Sequence, residues 1–163
     1  MTMSTNQQHT VGKMATGITG FDAIAKGGLP KGRTTLVAGT AGCGKTIFAA
    51  QFLAQGILNN NETGVFVTFE ESPADIRKNM GSLGWPIEEW EADNLWVFVD
   101  VSPQPGDEPI IVGEYDLSAL LVRIEHAIRK VGAERFAMDS LGAIFSQFSD
   151  IGIIRRELFR IAS

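Results

Sequence analysis

The eight residues GTAGCGKT, from Gly39 to Thr46, have the types and spacing of a phosphate-binding loop. They match the pattern G-x-x-x-x-G-K-[ST], in which glycines allow backbone N–H groups to point at phosphate oxygens. In this pattern Lys45 reaches the β and γ phosphates, and the Thr46 hydroxyl ligates Mg²⁺. A glycine-rich turn without a ligand is the alternative interpretation. The strand expected before the loop and the helix expected after it favour phosphate binding.

Acidic side chains follow three of the apolar runs in which strands are expected. Glu70 and Glu71 come after VFVTF, Asp100 ends LWVFVD, and Asp139 ends RFAMD. In open parallel sheets ligands lie at the carboxyl ends of strands. The adjacent pair therefore suggests one general base and one carboxylate that organises it. Alternatively, the pair only interacts with the N-terminus of the helix expected from Pro73. The pattern does not decide whether Asp100 or Asp139 acts beside Mg²⁺.

The remaining reactive residue types indicate no second site. Cys43 lies inside the loop, where it is either a reactive thiol or the occupant of a tolerant position, and the second interpretation is the simpler one. A single cysteine excludes an internal disulfide framework. His9 lies in the polar N-terminal lead-in, and His126 lies on the polar face of an expected helix. Neither histidine indicates a catalytic or metal-binding group.

Alternating strand and helix patterns must position these residues. Apolar, β-rich runs predict strands at 33–39, 64–69, 95–101 and 135–140. Helical patterns predict helices at 45–57, 72–83 and 116–132, and a last helix with its stripe at Ile151, Ile154, Leu158 and Ile161. Residues 58–62 are expected to form a polar connection, and Ser72 and Pro73 to start the helix that follows them. The alternation predicts an α/β fold with a mostly parallel sheet covered by helices.

Composition indicates one folded domain and argues against two classes of partner. The 163 residues include 14 basic and 19 acidic side chains, a net charge of −5 that does not favour nucleic acid. The nearest basic cluster, Arg155, Arg156 and Arg160, is expected on a solvated or subunit-contact face. No apolar run approaches the roughly 18 residues of a membrane span, so the cytoplasm is the default compartment. Residues 1–13 are expected to be a flexible lead-in, and residues 14–163 the domain.

Longer stretches resemble the RecA-like P-loop ATPases of the KaiC family of circadian clock proteins. The resemblance rests on TGITGFDAIAKGGLPKGRTTLVAGTAGCGKT (16–46), GVFVTFEESPADIRKNMGSLGW (64–85), YDLSALLVRIEHAIRKVGAERFAMDS (115–140) and IIRRELFRIAS (153–163). It covers nearly everything after about residue 12. The GGLP turn and the uninterrupted FVTFEE are closer to the first of the two ATPase halves in this family than to the second.

The resemblance implies roles for individual residues. It implies that the loop Thr40, Ala41, Gly42, Cys43, Gly44, Lys45 and Thr46, with Ile47, holds the phosphates of ATP. Glu70 and Glu71 match the pair that activates the attacking water, and Ser82 matches a residue close to the nucleotide. Asp139, rather than Asp100, matches the acid on the magnesium side. Thr46 would then bind Mg²⁺ directly, with Asp139 and Glu70 reaching it through water.

The family also implies an assembly. Its members hydrolyse ATP slowly at subunit interfaces of a homohexameric ring, act with KaiB-like and KaiA-like proteins, and autophosphorylate serine or threonine through a second half. The chain is expected to stop before a RecA-like core is complete and to be a piece of a longer protein. Two alternatives are a DNA-dependent ATPase of the RecA and RadA kind, and a nucleotide-binding interaction module without turnover.

Overall fold

A parallel three-stranded sheet between two layers of helices forms the centre of the chain. The computed structural model describes residues 11–102, 117–140 and 142. Five strands and five helices lie in these ranges, in the order β1 Lys13–Met14, α1 Thr19–Ile24, β2 Leu29–Pro30, α2 Lys45–Asn60, β3 Gly64–Thr68, α3 Pro73–Gly81, α4 Ile87–Ala92, β4 Trp96–Asp100, α5 Leu117–Val131 and β5 Arg135–Asp139. The predicted last helix and its arginines lie outside the described residues.

Strand β3 lies in the middle of the sheet, with β4 on one side and β5 on the other, and both pairs are parallel. All five residues of β3 are buried, as the continuous apolar run predicts for a strand covered on both faces. The register places Thr68 opposite Asp100 on β4 and opposite Asp139 on β5. The predicted α/β class with a parallel sheet is therefore confirmed, and the acidic strand ends lie at one edge.

The two faces of the sheet carry separate apolar cores. On one face, helices α2, α3 and α4 pack against Phe66 and Trp96, whose rings stack with centroids 5.8 Å apart. On the other face α5 buries Leu120 and Ile124 against the valines of β3 and β4. The predicted apolar stripe of this helix is thus found, while Arg123 and His126 are exposed.

The strand predicted at 33–39 is wrong. Residues 33–39 pair with no strand in the part of the chain that the structure describes, and Leu36 and Val37 are 70% and 40% exposed. A β-rich pattern supplies side chains suited to a sheet, but a strand also needs a neighbour for its backbone N–H and C=O groups.

Several boundaries and short elements also differ from the sequence-based expectations. Helix α2 continues through residues 58–60 of the predicted connection and ends at Asn60, and its C-cap Asn61 has a left-handed φ of 55°. Helices α1 and α4 and the two-residue pair β1–β2 were not predicted, since such short elements carry little periodicity. Within the described ranges, no helix is both long and apolar enough to cross a bilayer.

The side chain of Asp22 fixes the chain ahead of α1. Its carboxylate accepts hydrogen bonds from the Thr16 N–H (3.0 Å), the Thr16 hydroxyl (2.7 Å) and the Gly17 N–H (3.0 Å). Gln51 of α2 donates to the Gly17 carbonyl at 2.9 Å, which attaches this turn to the helix. Partial burial raises the pKa of Asp22, but these hydrogen bonds outweigh it and hold that pKa below its usual value.

Among the residues that the structure describes, the charged side chain buried in the fold is Arg135, with 1% of its surface exposed. Its Nε donates to Glu62 at 2.6 Å, and its Nη1 donates to the carbonyls of Ala15 and Phe52, both at 2.7 Å. Gly56 of α2 makes room for this side chain, because a Cβ there would lie 2.5 Å from Arg135 Nε. These three hydrogen bonds join four segments: the N-terminal segment, α2, the α2–β3 connection and β5.

Gly56→Ala is expected to destabilise the protein by about 1–3 kcal/mol, because the added methyl forces Arg135 out of its bonds. Gly81→Ala in α3 is the matched control, since nothing lies within 4 Å of its Cβ. Alanine has the higher helix propensity, so this control should be neutral or stabilising. Urea unfolding of both variants tests the assignment, and equal midpoints would contradict it.

Asp22→Asn is expected to lower stability at pH 7 by on the order of 1 kcal/mol. A depressed carboxyl pKa contributes stability above its unfolded value of 3.8, and that contribution is lost as pH falls through the folded value. The melting temperatures of wild type and variant should therefore converge as pH falls below about 3.8. Asp93→Asn, an exposed carboxylate at the end of α4, controls for loss of charge. A gap that persists or widens at low pH would exclude this role for Asp22.

Candidate functional site

The loop Gly39–Thr46 is exposed up to Cys43, half-buried from Gly44 onwards, and leads directly into α2. Gly42 and Gly44 have φ values of 75° and 89°, which L side chains rarely adopt, so the pattern needs glycine at both positions. Gly44 is the N-cap of α2, and no side chain caps this helix or places an acid in its first turn. The first-turn N–H groups of this 16-residue helix therefore have no capping side chain as a hydrogen-bond partner.

Lys45 folds back over the loop. Its ammonium donates to the Thr40 carbonyl at 2.9 Å and to the Gly39 carbonyl at 3.2 Å, and it lies 4.0 Å from the sulfur of Cys43. These partners are neutral, and a phosphate oxygen is a stronger acceptor for an ammonium group. The Lys45 ammonium is therefore held close to the loop by neutral partners, and a bound phosphate can replace them. Cys43 is exposed in the same loop.

Thr46 joins the loop to the sheet. Its hydroxyl donates to Asp139 Oδ2 at 2.6 Å, which connects the start of α2 to the end of β5. Asp100 lies on the far side of β3, where its Oδ1 accepts from the Ser102 N–H and hydroxyl at 2.9 and 2.6 Å. Asp139 is therefore the strand-end acid that contacts the loop.

The donor set at Thr46 suits Mg²⁺. A hydroxyl and a carboxylate are hard oxygen ligands, and Mg²⁺ is commonly bound by one or two such groups together with substrate phosphates. The described ranges contain no group of three His, Cys, Asp or Glu side chains of the kind that forms a complete metal cage. The residues present therefore fit a magnesium ion that is bound jointly with a nucleotide.

Glu70 and Glu71 are adjacent in sequence but have different neighbours. Glu70 Oε1 accepts from the Ser140 hydroxyl at 2.7 Å, directly after Asp139 on β5. Glu71 Oε2 lies 3.5 Å from Asn79 Nδ2 on α3. The structure thus brings Glu70 to the strand that carries Asp139 and directs Glu71 towards the helix.

No described hydrogen bond joins Glu70 or Glu71 to the first turn of α3, where the alternative interpretation expects the pair to interact. Ser72 is the N-cap, and its hydroxyl oxygen accepts from the Asp75 N–H at 3.2 Å and donates to the Asp75 carboxylate at 2.7 Å. The first turn of α3 therefore has its own cap, as the Ser72-Pro73 pair predicts.

Ser82 has no described hydrogen bond to the other candidate residues. It follows the last residue of α3, at the opposite end of that helix from Glu71, and its hydroxyl donates to the Asn79 carbonyl at 2.6 Å. This contact is local and the residue is exposed. A role for Ser82 near the nucleotide stays a prediction.

Two hydroxyls that sequence reasoning did not single out contact the Glu70–Glu71 turn. Ser140 binds Glu70, and Thr68 donates to the Glu71 carbonyl at 2.6 Å from a position that is 1% exposed. A signal for Thr68 existed in the sequence. A hydroxyl inside a strand buried on both faces must find a hydrogen-bond partner nearby.

Comparison with known proteins finds relatives of this chain in one family. A family model described as "ATPase: KaiC" matches residues 14–163. The circadian clock protein KaiC3 of Synechocystis sp. is 62% identical over 93% of the chain, and the circadian clock oscillator protein KaiC of Thermostichus vulcanus is 52% identical over 93%. The KaiC of Parasynechococcus marenigrum is 49% identical over 97%. The chain spans about 30% of the length of these relatives, with 30%, 29% and 31% covered. By its family match and these identities, the chain belongs to the KaiC family of ATPases.

Proposed function

We propose that the chain binds Mg–ATP at residues 40–47 and hydrolyses it slowly, as an ATPase domain of a clock protein. The observation that carries the proposal is the hydrogen bond from Thr46 to Asp139, because it joins the phosphate loop to a strand-end acid. Glu70 lies beside the same strand end through Ser140. The family match supports ATP as the nucleotide.

The loop and Lys45 bind the triphosphate. Backbone N–H groups of the loop and the first turn of α2 donate to phosphate oxygens, and the Lys45 ammonium leaves its two carbonyl partners for the γ phosphate. Thr46 would hold Mg²⁺ directly, with Asp139 and Glu70 reaching it through water. When bound, the ion offsets negative charge on the phosphate oxygens.

Glu70 and Glu71 supply the group that orients the attacking water and accepts its proton. Ser140 already bonds Glu70 Oε1, so we assign the water to Glu70 Oε2 or to the Glu71 carboxylate. In-line attack forms the bond from the water oxygen to the γ phosphorus while the bond to the β–γ bridging oxygen breaks, so that ADP and phosphate are released. Lys45 stabilises the negative charge that grows on the phosphate oxygens.

The setting of the reaction follows from the relatives, which are named as circadian clock proteins. We propose that the protein forms a homohexameric ring with ATP at its subunit interfaces. We also propose that it acts with KaiB-like and KaiA-like partners in the cytoplasm. The exposed Ser82 would contact nucleotide in that assembly. Serine/threonine autokinase activity would belong to a second half of the parent protein.

Lys45→Ala is expected to weaken Mg–ATP binding by on the order of 100-fold, because a charge-assisted contact of about 3 kcal/mol is lost. Lys31→Ala, at an exposed lysine outside the loop, should leave affinity unchanged. Titration calorimetry on the longest natural polypeptide that contains these residues measures both. Equal affinities for the two variants would remove Lys45 from the phosphate site.

The double change Glu70→Gln and Glu71→Gln is expected to keep ATP affinity and lower turnover about 100-fold or more, as for the loss of a general base. Glu88→Gln with Glu89→Gln alters another adjacent, exposed pair and should retain turnover. Phosphate release gives kcat for each. Normal turnover in the first double variant would contradict the assignment of these carboxylates as the groups that activate the attacking water.

Phosphate release is expected to be slow and unaffected by single-stranded DNA, since the chain carries a net charge of −5. Release from Mg–ATP, with Lys45→Ala as the blank, is compared with and without the DNA. Many-fold stimulation by DNA would assign the chain to the recombinase branch instead. Intact ATP affinity with no release above the blank would favour a nucleotide-binding module.

A further inference from the structure

Thr68 is the one polar residue in β3, and the proposed chemistry has not used it. The preceding positions, Val65 to Val67, are fully buried and apolar. Valine has nearly the same shape as threonine and would suit this strand without a polar group to satisfy. The Thr68 hydroxyl therefore needs an explanation, and its partner is the Glu71 carbonyl at 2.6 Å.

This hydrogen bond closes a turn whose two ends are already fixed. At one end Phe69 is 1% exposed, and its N–H donates to the Asp139 carbonyl at 2.9 Å. At the other end Ser72 caps α3 through Asp75. Glu70 and Glu71 are the exposed residues between these anchors. The Thr68 hydroxyl determines the backbone path at Glu71, and hence the direction in which Glu70 leaves the sheet.

We propose that Thr68 is a positioning residue for hydrolysis, because its hydroxyl holds the Glu70–Glu71 turn with Glu70 beside Ser140 and Asp139. This inference rests on the function proposed above. Thr68 is buried at the centre of the sheet edge, in register with Asp139, so it acts through the turn and not by contact with nucleotide. Without this hydrogen bond the turn would move, so that nucleotide binding would be kept but the general base would be misplaced.

The test compares Thr68→Val, which removes the hydroxyl, with Thr68→Ser, which keeps it. The matched control is Thr63→Val at the opposite end of β3, where the hydroxyl donates to the Val131 carbonyl at 3.0 Å. Each is made in the longest natural polypeptide containing these residues. We expect Thr68→Val to lower kcat about 10-fold, because the loss of one hydrogen bond lets the Glu70–Glu71 turn move away from its position. ATP affinity should stay within about twofold, Thr68→Ser should recover most of kcat, and Thr63→Val should match wild type.

Hydrogen exchange of the peptide covering residues 69–76 gives a readout that does not depend on turnover. Faster exchange is expected in Thr68→Val, and wild-type exchange in Thr68→Ser and Thr63→Val. If Thr68→Val does not fold, Thr68→Cys replaces it, since the thiol is a poor donor and differs from serine in one atom.

The outcomes separate the two proposals. Wild type that releases no phosphate above the Lys45→Ala blank overturns the proposed function itself. Active wild type with unchanged kcat in Thr68→Val, or with Thr68→Ser as slow as Thr68→Val, overturns the role of Thr68 alone. Slower turnover together with faster exchange, both restored by serine, supports it.

Discussion

The buried guanidinium of Arg135 is the constraint on which the arrangement of the other elements depends. A charge removed from water is costly unless it is paired and its donors are bonded. Glu62 pairs with it, the carbonyls of Ala15 and Phe52 accept from it, and the Phe52 ring lies 4.6 Å from its carbon Cζ. With the Asn60 amide in its favoured orientation, a further acceptor lies 3.0 Å away. Four segments must keep their places for this charge to stay satisfied.

Helix α2 and strand β5 connect the Arg135 contacts to the candidate site. Helix α2 advances about 15 Å from Thr46 to Gly56, at ~1.5 Å per residue. Strand β5 advances about 13 Å from Asp139 back to Arg135. The two run side by side in opposite directions, so the Arg135 contacts fix one end of the pair and the Thr46–Asp139 hydrogen bond closes the other. The phosphate loop is thereby held at the carboxyl edge of the sheet.

Patterns in the sequence predicted the sheet class, the loop and the strand-end acids, because each depends on local residue types. The paired contacts could not be predicted in the same way. Nothing in the local sequence indicates that Arg135 is buried, because the space for its side chain is left by Gly56, 79 positions earlier. Residue patterns left Asp100 and Asp139 open, the family resemblance favoured Asp139, and the position of α2 adds the contact between Asp139 and Thr46. The strand expected at 33–39 is wrong because a residue pattern says nothing about a pairing neighbour.

The two adjacent glutamates of the Glu70–Glu71 turn have different neighbours because of their position at the sheet edge. Adjacent side chains that leave a strand diverge, so Glu70 meets Ser140 and Glu71 turns towards Asn79. Both carboxylates stay exposed and accessible to water and nucleotide, while the backbone between them is held by the buried Phe69 and the capped α3. Rigidity in this site therefore comes from the backbone and not from burial of the acids. A nucleotide that replaces the carbonyl partners of Lys45 would meet carboxylates whose directions the fold has already set.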